Sequence, residues 1–375
     1  MAGIYIHIPF CRQACHYCDF HFSTSLKTKD ELLKAIAREA QLQKNYFASS
    51  GTRELQTVYF GGGTPSLLSG DELKTLLGSL MDLFPVSPVA EITLEANPDD
   101  LNTQKLHALR EAGVNRLSIG VQSFRDEDLK YMNRLHNASQ ADASVKRAQD
   151  SGITNISIDL IYGTPGMNDE AWKKNMLAAF DLQVPHLSCY ALTVEEKTAL
   201  SHFIRTGKSV APDDEQASRQ FMMLMELAPQ HGFEQYEISN FARDNFYSRH
   251  NRSYWTGEPY LGLGPGAHSY NLHARQWNVS NNPLYIRSLS EGKIPYETEE
   301  LTESQRFNEY VMISLRTKEG IDLEKVKASF GSDYHSHLVK ESKKYNGRLN
   351  PSNGHLSLTI EGKLFADRIA GELFV

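Results

Sequence analysis

The sequence predicts an α/β chain: a largely parallel sheet, curved or partly closed like an incomplete (β/α)6 TIM-type barrel, with a smaller α+β, winged-helix-like module behind it. Three observations predict it. Six short runs rich in β-branched and aromatic residues recur, at Gly3–Ile8, 57–60, 91–95, Arg116–Gln122, 157–162 and 186–192. Helical stretches separate them, and strands alternating with helices lie side by side and parallel. After about residue 235 this rhythm stops.

The helices carry their own punctuation. Thr28-Lys-Asp-Glu31 and Ser69-Gly-Asp-Glu72 fit the capping box, in which the first side chain accepts an amide hydrogen bond and the carboxylate reaches back. Gly113 and Gly152 stand where helices at 102–112 and 138–151 should stop, because glycine tolerates the left-handed conformation found there. Residues 236–241 read as one more strand, followed by a glycine-rich loop, Gly262-Leu-Gly-Pro-Gly-Ala267, and a stretch rich in Asn and Pro. A helical segment resumes at Leu301, and the end reads as a strand over 355–360 and a helix over 361–374. The expected units are a barrel over 1–235, an extension over 236–300 and a C-terminal module over 301–375.

Composition narrows the function. With 40% hydrophobic and 23% charged residues, the 375-residue chain has the make-up of an ordinary globular protein. No apolar run approaches the ~18 residues of a membrane span. The start, Met-Ala-Gly-Ile-Tyr, lacks a basic stretch followed by an apolar one, so no signal peptide is expected. Net charge is −7, and residues 301–375 hold eleven Lys and Arg against ten Asp and Glu without a basic stripe. A nucleic-acid partner is therefore not expected.

Three of the four cysteines crowd into Cys11-Arg-Gln-Ala-Cys15-His-Tyr-Cys18, directly after the first strand, where a barrel places its chemistry. Cys189 stands alone in a strand-like run. This is no disulfide framework, and it suits a reducing cytoplasm. Soft thiolates at this density bind iron–sulfur clusters or zinc. A cube is normally held by four cysteines, so three leave one iron open. Zinc would need a fourth ligand, for which His7, His16 and His21 are candidates.

Directly after the second strand comes Gly61-Gly-Gly-Thr-Pro65, where the missing Cβ atoms allow close approach to the backbone. A tight turn before a helix is the alternative reading. Polar residues then recur at or near strand ends: Glu95, Gln122 and Asp159. A buried carboxylate costs several kcal/mol unless paired, so each needs a partner such as Arg134 or a cationic ligand.

The C-x3-C-x2-C spacing resembles the signature of radical S-adenosylmethionine proteins, which implies a [4Fe-4S] cluster whose open iron chelates S-adenosylmethionine. The order of Tyr5-Ile-His-Ile-Pro-Phe-Cys11, Gly61-Gly-Gly-Thr-Pro65, Leu94-Glu-Ala-Asn-Pro98, Gly120-Val-Gln-Ser-Phe124 and Ile158-Asp-Leu-Ile-Tyr-Gly163 is similar to that of the oxygen-independent coproporphyrinogen dehydrogenase group. That resemblance implies that Cys11, Cys15 and Cys18 hold the cluster and that Tyr5, Gly62 and Glu95 hold its S-adenosylmethionine. Tyr17, Gly63, Thr64, Gln122, Arg134 and Asp159 match positions that hold a second one, with Ala191 and His268 as looser matches.

Two departures point to a neighbouring group. The dehydrogenase pattern has a fourth cysteine where this chain has Phe20, and it carries a segment ahead of the first strand, whereas only four residues precede Tyr5 here. Cys18-Asp-Phe20 resembles the HemW-type heme chaperones instead. His250-Asn-Arg-Ser-Tyr-Trp255 matches that group's H-N-x-x-Y-W motif, an imidazole able to ligate iron beside two aromatic rings able to stack on a porphyrin. The resemblance implies heme binding by His250, Asn251, Tyr254 and Trp255. It also implies delivery of heme to apo-acceptors such as respiratory-chain cytochromes, with a small electron-donor protein as a further partner and membrane contact only through the acceptor. Decarboxylation of coproporphyrinogen III is the alternative activity.

Overall fold

The structure, a computed structural model, describes residues 2–375. Among the described residues, fifteen strands form two sheets. The large one contains β1 (Gly3–Ile8), β2 (Leu55–Gly62), β3 (Val86–Ala96), β4 (Arg116–Gln122), β5 (Ile156–Tyr162), β6 (His186–Ala191), β7 (Glu234–Gln235), β8 (Asn240–Ala242), β9 (Tyr260–Leu263), β10 (His268–Tyr270), β11 (Ala274–Asn278) and β12 (Tyr296–Glu300). Strands β1 to β6 are neighbours in chain order and parallel throughout. Strand β9 joins parallel to β1, extending the sheet at that edge, and β8 runs antiparallel to β6 at the other. The strand order runs from β12 to β7 without returning on itself, so the barrel is incomplete as expected.

Each parallel strand alternates its side chains between two environments, as the pleat requires. Ile4, Ile6 and Ile8 of β1, Val58 and Phe60 of β2, Leu117, Ile119 and Val121 of β4, and Ile156, Ile158 and Leu160 of β5 join one apolar cluster with the surrounding helices. The intervening positions, among them Tyr5, Thr57, Tyr59, Glu91, Glu95, Arg116, Ser118, Asp159, His186 and Ser188, meet one another on the concave face. Tyr5 stacks on Tyr59, Ser118 donates to Asp159, and Ser157 bridges His186 and Ser188. The barrel therefore has an apolar outer layer and a polar lumen.

Several boundaries differ from expectation for physical reasons. Residues 236–241 are not one strand: 236–239 form the turn of the β7–β8 hairpin and 240–241 begin β8, with Gln235 paired to Phe241 and the Glu237 side chain accepting from the Ser239 amide and the Asn240 side chain to close the corner. The capping box at Ser69 forms in full, whereas Thr28 has a turn-like backbone, φ −104° and ψ 13°, and makes no side-chain cap. Gly113 (φ 101°) and Gly152 (φ 86°) end their helices in the left-handed conformation. The final helix is broken into Ile360–Lys363 and Ala366–Glu372.

The last seventy-five residues build a separate core around Phe307, Val311, Leu315, Ile321, Val326, Leu338 and Ile369. It joins the helices Glu303–Leu315, Leu323–Phe330 and Ser332–Ser342 to a small antiparallel sheet of β13 (Ile321–Asp322), β14 (Leu349–Ser352) and β15 (His355–Leu358). Among the described residues, no helix is long and apolar enough to cross a membrane.

Candidate functional site

A cavity of about 950 Å³ opens where β1 to β6 end. Its inner wall begins with the cysteine loop. Backbone bonds fix that loop at both ends: the Cys11 amide donates to the Ser23 carbonyl (3.0 Å) and the Ser23 amide to the Pro9 carbonyl (2.8 Å). Its middle is tied to the turn at 131–134, because the His16 amide and ring donate to the Met132 and Tyr131 carbonyls, and Asn133 donates to the Ala14 carbonyl. That turn delivers Arg134 to the site.

Two donors reach the sulfurs. The Thr64 hydroxyl lies 3.4 Å from Cys11 Sγ, and Arg134 Nη1 lies 3.4 Å from Cys15 Sγ. Asn97 ties both together, donating to Thr64 Oγ1 (3.1 Å) and accepting from Arg134 (2.6 Å). Burial pushes the Cys18 thiol up to about 12 and raises that of Cys11. Such thiols favour a partner that takes their charge.

The glycine loop supplies the cradle. A Cβ on Gly63 would sit 2.7 Å from the Phe10 carbonyl and 2.8 Å from that of Ile8. One on Gly62, whose φ is 103°, would run into the His7 ring. The loop thus packs against the end of β1, and its turn presents the Gly62 amide to Glu95 Oε2 (3.2 Å). The other Glu95 oxygen accepts from the Tyr59 hydroxyl (2.7 Å). Burial pushes the Glu95 carboxyl up to about 7 and that of Asp159 up to about 6. Both prefer a cationic group beside them.

The cavity gathers Cys11, Cys15, Tyr17, Cys18, Gly62, Gly63, Thr64, Glu95, Gln122, Arg134, Asp159 and Ala191. Gln122 reaches it from a left-handed backbone, φ 65°, at an irregularity in the β4–β5 pairing. Tyr5 lies behind the wall, stacked on Tyr59, with its hydroxyl 3.3 Å from His7 Nδ1. His268 is outside, stacked on Trp277 on the antiparallel edge. The Gly262–Ala267 segment also faces elsewhere: Gly264 packs on His7, and its amide donates to the buried Glu39.

The donor set fits a cluster better than a single zinc ion. Among the described residues, no three His, Cys, Asp or Glu side chains close on one ion. His7 donates to the His21 carbonyl (2.8 Å), His16 bonds Tyr131, and His21 bonds Asn282 (2.7 Å). Three thiols around one wall, two hydrogen-bond donors to sulfur and a cradle without Cβ atoms fit an iron–sulfur cluster that these thiols would hold.

The H-N-x-x-Y-W residues lie elsewhere, on the helix Arg249–Trp255. His250 is 1% exposed, beside the starts of β1 to β3. Both ring nitrogens are engaged, Nδ1 with Thr57 Oγ1 and Nε2 with the Tyr254 hydroxyl, each at 2.8 Å, and the ring stacks on Tyr59 at 4.9 Å. Glu91 caps the helix by accepting the Arg249 and His250 amides. Burial lowers the His250 pKa to about 3. In this structure His250 is a buried brace with both ring nitrogens engaged, and Tyr254 and Trp255 are half-buried beside it.

Sequence reasoning missed Asn97, Tyr59 and the far wall of the cavity, where Ile238, Arg316, Lys363, Leu364 and Phe365 stand. The period-two polar positions of β2 and β3 mark Tyr59 as lumenal. Nothing local marks Arg316 or Lys363.

The chain is similar to known proteins in sequence and in fold. Residues 5–178 match the radical SAM superfamily, and residues 301–365 match the HemN C-terminal domain. The heme chaperone HemW of Bacillus subtilis is 37% identical, the alignment covering 99% of this chain and 98% of that protein. The Mycobacterium tuberculosis heme chaperone HemW (strain H37Rv) is 35% identical over 99% and 94%. In fold, the chain is similar to the coproporphyrinogen III oxidase HemN of Escherichia coli, a radical SAM enzyme, with a TM-score of 0.86 and 23% identity over 100% of this chain and 90% of that one. This chain belongs to the HemW family within the radical SAM superfamily.

Proposed function

We propose that this chain is a heme chaperone that takes heme as cargo and passes it to apo-acceptors such as respiratory-chain cytochromes. In this reading Cys11, Cys15 and Cys18 hold a [4Fe-4S] cluster, and S-adenosylmethionine occupies the open iron. The cluster, when reduced, supplies an electron to the sulfonium. Gly62 and Glu95 hold the amino acid end of the cofactor, with Tyr5 supporting them from behind. The raised Glu95 and Asp159 carboxyls turn toward positive charge, and Arg134 positions Cys15.

The observation that carries the reading is Phe20. It stands 65% exposed on the cavity wall, at the position where the dehydrogenase pattern has a fourth cysteine. With Phe22, Tyr190 and Phe365 on the same cavity lining, it belongs to a group of rings that favours a flat apolar cargo. The test is anaerobic reconstitution, followed by iron and sulfide analysis and a heme titration tracked by the Soret band. Cys11→Ala, Cys15→Ala or Cys18→Ala should reduce bound iron and sulfide to background and leave melting close to that of the cluster-free parent, because all three thiols lie in a half-buried loop. Failure of the parent protein to bind heme saturably would end the reading.

The second reading is oxygen-independent coproporphyrinogen dehydrogenase activity. It is favoured by one observation: Tyr17, Gly63, Thr64, Gln122, Arg134 and Asp159 all line the same cavity as the thiols. The same reconstituted sample, given reductant, S-adenosylmethionine and coproporphyrinogen III, should form protoporphyrinogen if this holds. A flat time course with an intact cluster removes it.

A further inference from the structure

The far wall of the cavity differs in chemistry from the cysteine wall. Phe20 and Tyr190 face it from the barrel side, and Leu364 and Phe365 face it from the C-terminal module. Each of these four side chains is at least 37% exposed. Two apolar surfaces held apart across a gap are costly in water and cheap around a flat apolar ligand. The full cavity, at about 950 Å³, lies near the top of the ~300–1,000 Å³ range of small-molecule sites.

Two cations stand on this wall. Lys363 is largely withdrawn from water and donates to the neutral Gln235 amide oxygen, and among the described residues no carboxylate forms an ion pair with it. Arg316 bonds the well-exposed Asp367 at 2.8 Å and lies near enough to the buried Glu237 to offset part of the burial that raises its carboxyl, while its own Nε is buried without a hydrogen-bond partner. The acids Asp19, Glu195 and Asp214 stand on the exposed barrel rim, and Glu95 and Asp159 belong to the cysteine wall. Arg316 also lies over the indole of Trp255, its guanidinium carbon 5.2 Å from the ring centroid. The last residue of the H-N-x-x-Y-W stretch therefore touches the cavity through Arg316.

We propose that the gap between the barrel mouth and the C-terminal module seats a tetrapyrrole dicarboxylate, with Arg316 and Lys363 receiving its two carboxylates. Trp255 is a positioning residue that holds Arg316 in place and does not contact iron. This rests on the heme reading above and gives that cargo an address distinct from His250. The porphyrin plane lies between the Phe20 and Phe365 walls. Recognition is through carboxylates and ring faces, so iron is not required for it.

The test uses the full-length, anaerobically reconstituted protein with three probes: hemin, metal-free protoporphyrin IX and protoporphyrin IX dimethyl ester. Arg316→Gln and Lys363→Gln should each weaken hemin binding about tenfold, and the double variant about a hundredfold, the scale of charge-assisted contacts. Metal-free protoporphyrin should show the same losses, and the ester should bind parent and variants alike. Trp255→Ala should match Arg316→Gln, and combining the two should add little, whereas Trp255→Phe should restore most of the affinity. Circular dichroism and iron content report folding and cluster separately. Saturable hemin binding by the parent that survives unchanged in the double variant overturns this inference while leaving the heme reading intact. Ester binding that is as sensitive to the variants as diacid binding overturns it too. Absence of saturable binding by the parent removes the heme reading itself.

Discussion

Near the strand starts, His250, Thr57 and Tyr254 satisfy one another, the imidazole bonding both hydroxyls, while Glu91 caps a helix and forms an ion pair with Arg116 at 3.6 Å. Near the strand ends, Glu95, Asp159, Gln122 and Arg134 keep part of their polar surface turned to a cavity. The two regions use the same side-chain types within one lumen. The difference teaches that a ligand set is defined by bonding capacity left over after folding, and not by the presence of histidine, tyrosine and carboxylate. His250 has none left over, because its ring nitrogens are both engaged and water cannot reach it.

The sharpest way to break this contrast is His250→Ala. Removing a buried ring that stacks on Tyr59 and bonds Thr57 and Tyr254 leaves a cavity and two stranded hydroxyls, at a cost of roughly 3–5 kcal/mol. The expected result is a large drop in the urea midpoint, with hemin affinity of the remaining folded protein close to that of the parent. The reverse pattern, normal stability with lost hemin binding, would make His250 a ligand and merge the two regions into one kind of site.

The glutamate at the other end sharpens the comparison through pH. Burial raises the Glu95 carboxyl from its ordinary 4.5 to about 7 in the ligand-free protein. The native state then keeps a proton that the unfolded chain has released, so rising pH between about 4.5 and 7 favours unfolding. Asp159 and Glu39, raised to about 6 and about 7, act with the same sign. Glu95→Gln should flatten part of this slope, raising the melting temperature at pH 8 relative to pH 5 by about 2 °C compared with the parent. An unchanged slope would mean that Glu95 is well solvated, and the cavity end would lose its distinction.

How much of this the sequence discloses depends on how far apart the interacting residues lie. The six parallel strands are legible because each is a compact apolar run with its own stop signal. The thiols and glycines are legible because their spacing is local. Strand polarity is also present as period-two alternation, as in Arg116, Ser118, Gly120 and Gln122 of β4, which share the lumenal face. By contrast, the Thr57–His250 bond joins residues 193 positions apart, and Lys363 meets Gln235 across 128. No window of sequence contains both partners, so an isolated H-N-x-x-Y-W stretch reads as an open ligand set although the fold closes it. The 236–241 segment fails for a related reason: its apolar residues suit a strand, but the buried Glu237 turns the chain by bonding Ser239 and Asn240.

The smallest effect separates two sequence signals that look alike. Ser69 and Thr28 both precede a helix with glutamate three residues on. At Ser69 the backbone is extended, the hydroxyl accepts the Glu72 amide at 3.1 Å, and the Glu72 carboxylate accepts the Ser69 amide at 2.7 Å. At Thr28 the backbone is already turn-like, which carries the hydroxyl away from the first helical amides, and Glu31 has no reciprocal bond to make. Ser69→Ala should therefore cost ~1 kcal/mol, the usual worth of an N-cap, whereas Thr28→Ala should cost a few tenths at most. Equal losses in matched urea titrations would show that Thr28 caps its helix in solution, and that the extended backbone at Ser69 is not what makes its capping box work.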